Sequence, residues 1–275
     1  MGHPFEKLAQ QHYENFPVGS FFIPKRYRRP IHLIYAFSRV ADDIADEGNM
    51  LPETRIASLE AWERSLEKAL NGGTEDDFFT ELASVIREFE LSPQLLKDLI
   101  VAFKKDSSDP RYDSFDELLE YCRYSANPIG RLLLQIFKCS NVTTEEYSDR
   151  ICTALQLANF WQDISVDTAR NRFYIPRLEI STFGLSENDI TASSNQEAFK
   201  ALMKHLVERT EAFLNEGKPL LDIAPNVLRF ELRLIWHGGM TIIQKIRTAG
   251  YDTRLLRPAL SKIDKAAIFF KALYH

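Results

Sequence analysis

Apolar residues recur at intervals of three and four along nearly every segment of this chain longer than a turn. Ile31, Ile34, Tyr35, Ser38, Ala41 and Ala45 step in this way, as do Leu118, Leu119, Cys122, Ser125 and Ala126, then Ile129, Leu132, Leu133 and Ile136. Ile151, Leu155, Ala158 and Trp161 follow, and Leu228, Leu232, Ile235, Ile242 and Ile246 repeat the pattern late in the chain. This is the period of a helix with one buried face. Alternating runs of β-branched residues are missing, so a sheet is not expected. The spacing predicts an all-α fold of eight to twelve helices, packed as one domain over residues 1–275. Short loops are expected at Asn71–Thr74, Asp106–Pro110 and Ser186–Gln196. Pro128 falls inside a helical run, so a kink or break is expected there, with Asn127 biased out of the α region. Gly238-Gly239 should loosen a later helix.

Composition excludes several classes. Lys and Arg number 34 against 39 Asp and Glu, a formal charge of −5. No domain-wide basic surface exists to displace counterions from nucleic acid. The longest uncharged run, Ile151–Gln162, has 12 residues, well short of the roughly 20 that a membrane span needs. The opening residues have no apolar core of a signal peptide. Three cysteines without C-x-x-C spacing exclude a disulfide framework and a zinc knuckle, and point to a reducing cytoplasm. The chain has no G-x-G-x-x-G dinucleotide fingerprint and no phosphate-binding P-loop, so no dinucleotide is expected.

The informative residues are aspartates. Asp42 and Asp46 stand at i, i+4, with Tyr35 and Arg39 two turns and one turn upstream on the same face. Asp163 and Asp167 repeat the spacing, with Gln156 and Asn159 upstream. Both stripes lie in apolar sequence. Carboxylates so placed either mark solvated faces or require a cation, since burying them unpaired is costly. Mg²⁺ suits the second case: it is hard, prefers oxygen, and takes one or two carboxylates together with substrate phosphates. Basic residues accompany both stripes. Lys25-Arg26-Tyr27-Arg28-Arg29 precedes the first, and Arg170, Arg172 and Tyr174 follow the second. Arginine forks match phosphate oxygens. The Lys25–Arg29 cluster also reads as a solvated turn or a peripheral contact with anionic headgroups.

Three segments carry a resemblance over nearly the whole length: YAFSRVADDIAD (35–46), YCRYSANPIGR (121–131) and QLANFWQDISVD (156–167), continuing to RFYIP (172–176). They resemble the squalene/phytoene synthase group of isoprenoid synthases. HYENFPV (12–18) and SANPIGR (125–131) resemble, within it, the hydroxysqualene synthase branch of hopanoid pathways. The resemblance implies an all-α isoprenoid synthase fold, a helical bundle with a central cavity, two or three Mg²⁺ ions bridged by diphosphate, and presqualene diphosphate as substrate. Diphosphate would leave and water would be captured, giving hydroxysqualene. It also implies hand-over from a presqualene diphosphate synthase and to an FAD-dependent hydroxysqualene reductase.

Carried over by position, Asp42, Asp46, Asp163, Asp167 and Asn159 match the metal ligands. Arg39, Arg172, Tyr174, Lys25 and His12 match or lie near diphosphate contacts. Tyr121, Asn127 and Arg39 become candidate catalytic residues, Asn127 by orienting a water or only by shaping the helix break. Tyr35, Phe37, Gln156, Phe160 and Trp236 become candidate cavity residues, any aromatic among them equally explained as core. Some members carry a tyrosine where this chain has Trp236-His237-Gly238-Gly239. The aspartates fit two other roles: condensation of farnesyl diphosphate to presqualene diphosphate or squalene (or of geranylgeranyl diphosphate to phytoene), and a non-catalytic assembly factor. A head-to-tail elongase fits less well, because Gln162 and Ile164 flank Asp163 without a doubled acid.

Overall fold

Proline and short polar side chains set where the helices begin. Pro52 and Pro93 open two of them at the first turn, where a missing N–H costs nothing. Asp76, Ser114 and Asn141 cap others, and Asn141 closes a reciprocal box with Thr144. The computed structural model describes residues 23–48, 50–108 and 110–274. Among them the helices are α1 (Lys25–Asp46), α2 (Pro52–Leu70), α3 (Asp77–Glu88), α4 (Pro93–Asp106), α5 (Phe115–Ser125), α6 (Asn127–Ile136) and α7 (Val142–Gln162). After these come α8 (Ile164–Ala169), α9 (Arg177–Thr182), α10 (Glu187–Thr191), α11 (Gln196–Glu216), α12 (Leu220–Ile223), α13 (Asn226–Thr248) and α14 (Lys262–Tyr274). The count exceeds the expected twelve because four short helices, α8, α9, α10 and α12, carry too few residues to show a period. One of them, α10, occupies the run 186–196 expected as loop; Ser186 and Asp189 cap it reciprocally.

Helix α7 is the centre of the fold. It packs against α6, α11 and α13, which explains why its last three turns are apolar almost all round. Trp161 is fully buried there, and its indole N–H donates to Thr210 Oγ1 at 2.8 Å. Glycines let two neighbours approach it closely. A Cβ at Gly130 would lie within 2.6 Å of Cys152 Sγ, and one at Gly239 within 2.6 Å of Leu155 Cδ2. This corrects the expectation for Gly238-Gly239: α13 runs through the pair without a break, because Gly239 is a packing surface against α7. The expected break near Pro128 occurs two residues before it, at Ala126 (φ −119°, ψ −46°). Asn127 is the first residue of the new helix, and Pro128 sits in its first turn, where proline is tolerated.

No strand forms among the described residues. A single bridge joins Arg111 to Phe173. With Arg177 N donating to Tyr112 O and Leu178 N to Asp113 O, both at 3.0 Å, it holds the segment after α8 against the start of α5. That attachment positions half of the site described next. None of the described helices is long and apolar enough to cross a membrane.

Candidate active site

The C-terminal half of α1 presents Tyr35, Arg39, Asp42 and Asp46 along one stripe. Arg39 donates to Asp42 Oδ2 at 3.0 Å and pairs with Asp43 at 2.6 Å, so one guanidinium serves two neighbouring carboxylates. Burial and the nearby Asp46 push the Asp42 carboxyl up to about 6 against the pull of Arg39. Burial likewise raises the Tyr35 phenol.

The second stripe is built where α7 ends. Asp163 lies between α7 and α8 with φ −101° and ψ 11°. Its N–H still donates to Asn159 O, and its carbonyl accepts from Asp167 N, both at 2.9 Å. The helical spacing therefore survives the junction. Gln156 and Asn159 lie half-buried upstream on α7. Burial and Asp163 raise the Asp167 carboxyl to about 7, although Arg172 and Arg170 pull it down.

Arg172 joins the stripes. Asn171 takes a positive φ of 59°, which asparagine tolerates, and Arg172 N returns to Asp167 O at 2.9 Å. The guanidinium then forms a two-pronged pair with Asp46, one bond at 3.0 Å and a shorter one to Oδ1. Bidentate guanidinium–carboxylate pairs are the strong ones, and here the partners lie 126 residues apart. A further cation comes from the segment before α14, where Arg257 pairs with both oxygens of Asp163, one at 3.2 Å. Gln162 also donates to Pro258 O at 2.5 Å. The sequence reading missed Arg257; no helical period links it to the aspartates.

Beneath the charged rim lies an aromatic floor around Asp106, the last residue of α4. Tyr121 donates to Asp106 Oδ2 at 2.7 Å and Tyr174 to Oδ1 at 3.3 Å. Phe160 stacks on Tyr174 with centroids 3.9 Å apart and planes 8° from parallel. Tyr121 stands 6.0 Å from both rings. Burial pushes the Asp106 carboxyl up to about 7, against the two hydroxyls and Arg172. The buried Tyr112 hydroxyl has no partner among the described residues. A small pocket opens here, lined by Phe160, Asp167, Arg172, Tyr174 and Ile180. Asp106 opens the loop expected over Asp106–Pro110 and instead ends a helix. Its surroundings, Lys-Lys-Asp-Ser-Ser, hold no signal that would have found it.

Other candidates lie elsewhere. Lys25 is exposed at the first turn of α1, about 25 Å along the helix axis from Asp42 at 1.5 Å per residue. Its side chain cannot span that distance, so it is not a contact of this site. Phe37 is fully buried and stacks on Trp62 at 5.6 Å, on the side of α1 away from the aspartates; it belongs to the core. Trp236 donates its indole N–H to Leu214 O at 2.9 Å on α13 and is not part of the aromatic floor. Asn127 is buried and accepts from Thr153 Oγ1 at 3.1 Å, which fastens α6 to α7. His12 lies outside the described residues.

The donor set suits a hard divalent cation in its chemistry: carboxylates and one amide, with two of the carboxyls raised by burial first and by a neighbouring carboxylate second. Among the described residues, no three acidic, histidine or cysteine side chains come together as a group that could hold a metal ion by themselves. An ion of the magnesium type needs no such group, since it takes one or two carboxylates and completes its shell with phosphate and water.

Comparisons with known proteins agree with this architecture. The family model for squalene/phytoene synthase matches residues 9–264. Hydroxysqualene synthase from Sinorhizobium fredii is 34% identical over 87% of this chain and 81% of its own length. The enzyme of the same name from Rhodopseudomonas palustris is 33% identical over 86% and 80%. The crystal structure of squalene synthase HpnC from Alicyclobacillus acidocaldarius superposes with a TM-score of 0.84 at 37% identity, covering 90% of this chain and 93% of that one. A dehydrosqualene synthase structure shares the fold, with a TM-score of 0.86 at 21% identity over 98% and 94%. With the helical fold, the paired acidic stripes and these matches together, the chain belongs to the squalene/phytoene synthase family of isoprenoid synthases.

Proposed function

We propose that this chain converts presqualene diphosphate and water to hydroxysqualene and diphosphate, with Mg²⁺. The observation that carries the reading is the joining of the two acidic stripes through Arg172, directly above an apolar aromatic floor. Such a site suits a molecule with a diphosphate head and a hydrocarbon body. The names of the relatives at 34% and 33% identity point to the same reaction.

Asp42, Asp46, Asp163 and Asp167, with Asn159, would hold the magnesium, which neutralises charge on the departing diphosphate when bound. Arg39 and Arg172 donate to phosphate oxygens from fixed positions, because carboxylates already orient both guanidiniums. No protein nucleophile is needed. Loss of diphosphate leaves a carbocation in the apolar part of the site. The faces of Tyr121, Phe160 and Tyr174 each stabilise it by about 0.5–2 kcal/mol. Asp106 holds the two phenol hydroxyls, so the rings keep their orientation through the reaction. Water enters only after the cation rearranges, and the buried Ser125 hydroxyl, unpartnered among the described residues, is a group that can orient it.

A second reading, head-to-head condensation of geranylgeranyl diphosphate to phytoene or of farnesyl diphosphate to presqualene diphosphate or squalene, draws on the relative named phytoene synthase 1 from Solanum lycopersicum, 28% identical over 94% of this chain. The two separate in a product assay without NADPH. Purified protein with Mg²⁺ receives presqualene diphosphate in one tube and an allylic diphosphate, farnesyl or geranylgeranyl, in another. A triterpene alcohol from the first, lost with EDTA and with Asp163→Asn, is the expected result. Consumption of the allylic diphosphate alone would replace the proposal with the condensing reaction. No turnover in either tube by folded protein would favour a non-catalytic role.

A further inference from the structure

Helix α14 has two apolar faces, and the bundle uses one. Ile268 and Ala272 turn inward against α13, and Phe269 meets Phe230 at 5.7 Å. On the other side, Ile263, Phe270, Leu273 and Tyr274 are 82%, 58%, 51% and 86% exposed. Their spacing of three, four and seven, filled in by the exposed Ala266 and Ala267, makes a continuous stripe at 100° per residue. A stripe of this kind on a charged protein marks an interaction surface.

Charge decides which partner fits. On a helical projection Lys262 and Lys271 fall along the two edges of the stripe, both exposed, with Lys265 behind. The one acid of the helix, Asp264, is turned to Lys245 at 2.9 Å and to Ser261. The outer face is therefore apolar and purely cationic, although the chain as a whole carries −5. A second copy on this face would bring lysine edges against lysine edges in either orientation. A bilayer surface accepts both parts: acyl chains take the stripe, and phosphates take lysines that extend outward past it. The seven-residue approach to the helix adds Leu255 and Leu256, both more than 60% exposed. They immediately precede Arg257, which holds Asp163. The apolar tip is thus fastened to the rim of the site.

We propose that the outer face of α14, with the Leu255-Leu256 tip before it, docks on an anionic lipid surface. The docking rests on the helix itself. Only its use, drawing an isoprenoid diphosphate from the bilayer, rests on the proposed function.

The test is vesicle co-sedimentation of the full chain. Wild type should bind vesicles of equal parts phosphatidylglycerol and phosphatidylcholine much more tightly than phosphatidylcholine alone. Lys262→Gln with Lys271→Gln should weaken that binding about 20- to 30-fold, from about 1 kcal/mol per lysine at an anionic surface. Phe270→Ser with Leu273→Ser should abolish it. Both double variants should keep wild-type circular dichroism and wild-type turnover of detergent-dispersed presqualene diphosphate. Equal binding by wild type and both variants would overturn the proposal. So would a dimer, seen by sedimentation velocity and lost in the Phe270/Leu273 variant, from a chain that ignores vesicles. Vesicle binding with the expected variant losses, but no turnover by any form, would uphold the docking and remove the proposed reaction.

Discussion

Glu231 lies in the second turn of α13 with 3% of its surface exposed, and neither carboxylate oxygen has a hydrogen-bond partner among the described residues. Burial alone pushes this carboxyl up from an ordinary 4.5 to about 7. The unfolded chain therefore releases the proton first as pH rises, and the folded chain follows only near 7. Stability contributed by the neutral carboxyl is complete below 4.5, falls between 4.5 and 7, and is gone above 7. Each pH unit in that window is worth about 1.4 kcal/mol, so the full loss is about 3 kcal/mol. Glu231→Gln removes the titration while keeping size and polarity. The assay is urea unfolding of both proteins from pH 4.5 to 8, with the difference in unfolding free energy plotted against pH. Groups that titrate in both proteins cancel in that difference. The variant should gain on wild type by about 3 kcal/mol between the two ends of the range. Parallel curves would refute the reasoning, since they would mean that Glu231 ionises in the folded chain as easily as in the unfolded one.

Gly130→Ala should lower stability by about 1–3 kcal/mol, because the new methyl collides with Cys152 and Ser148 on α7; denaturant midpoints check this. Arg172→Gln should reduce turnover by about a hundredfold or more, since it removes the guanidinium joining Asp46 to the second stripe, while circular dichroism stays unchanged. Tyr121→Phe deletes the hydroxyl that donates to Asp106 and should destabilise the fold by about 1.5–3 kcal/mol, the usual worth of a hydrogen bond to a charged group. Calorimetry at pH 8, where Asp106 is ionised, gives the value.

The helical class, the apolar character of Ile151–Gln162 and the two aspartate stripes were all legible in the chain, because each is a local pattern. A spacing of three and four needs only the neighbouring turns to express it. Asp163 shows how far that goes: the helix ends there, yet the i, i+4 relation to Asp167 holds through one turn of backbone hydrogen bonds. Gly239 shows the opposite case. Its propensity predicted a loosened helix, and packing against Leu155 made it a contact instead. Lys25 and Phe37 lie on the same helix as the aspartates, yet the length of α1 sets Lys25 far from them and the side Phe37 faces puts it in the core.

By itself, then, the sequence determined the all-α fold, the two acidic stripes, the arginines that accompany them and the family. Tertiary structure decided which arginine meets which carboxylate: Arg172 takes Asp46, and Arg257 takes Asp163 across 94 residues. It also decided that Asp106, in a stretch with no pattern, anchors Tyr121 and Tyr174, and that α14 turns lysine and apolar side chains outward together. Helical periodicity is encoded within a few residues. A pairing between distant segments depends on how whole helices pack, and no local spacing carries that information.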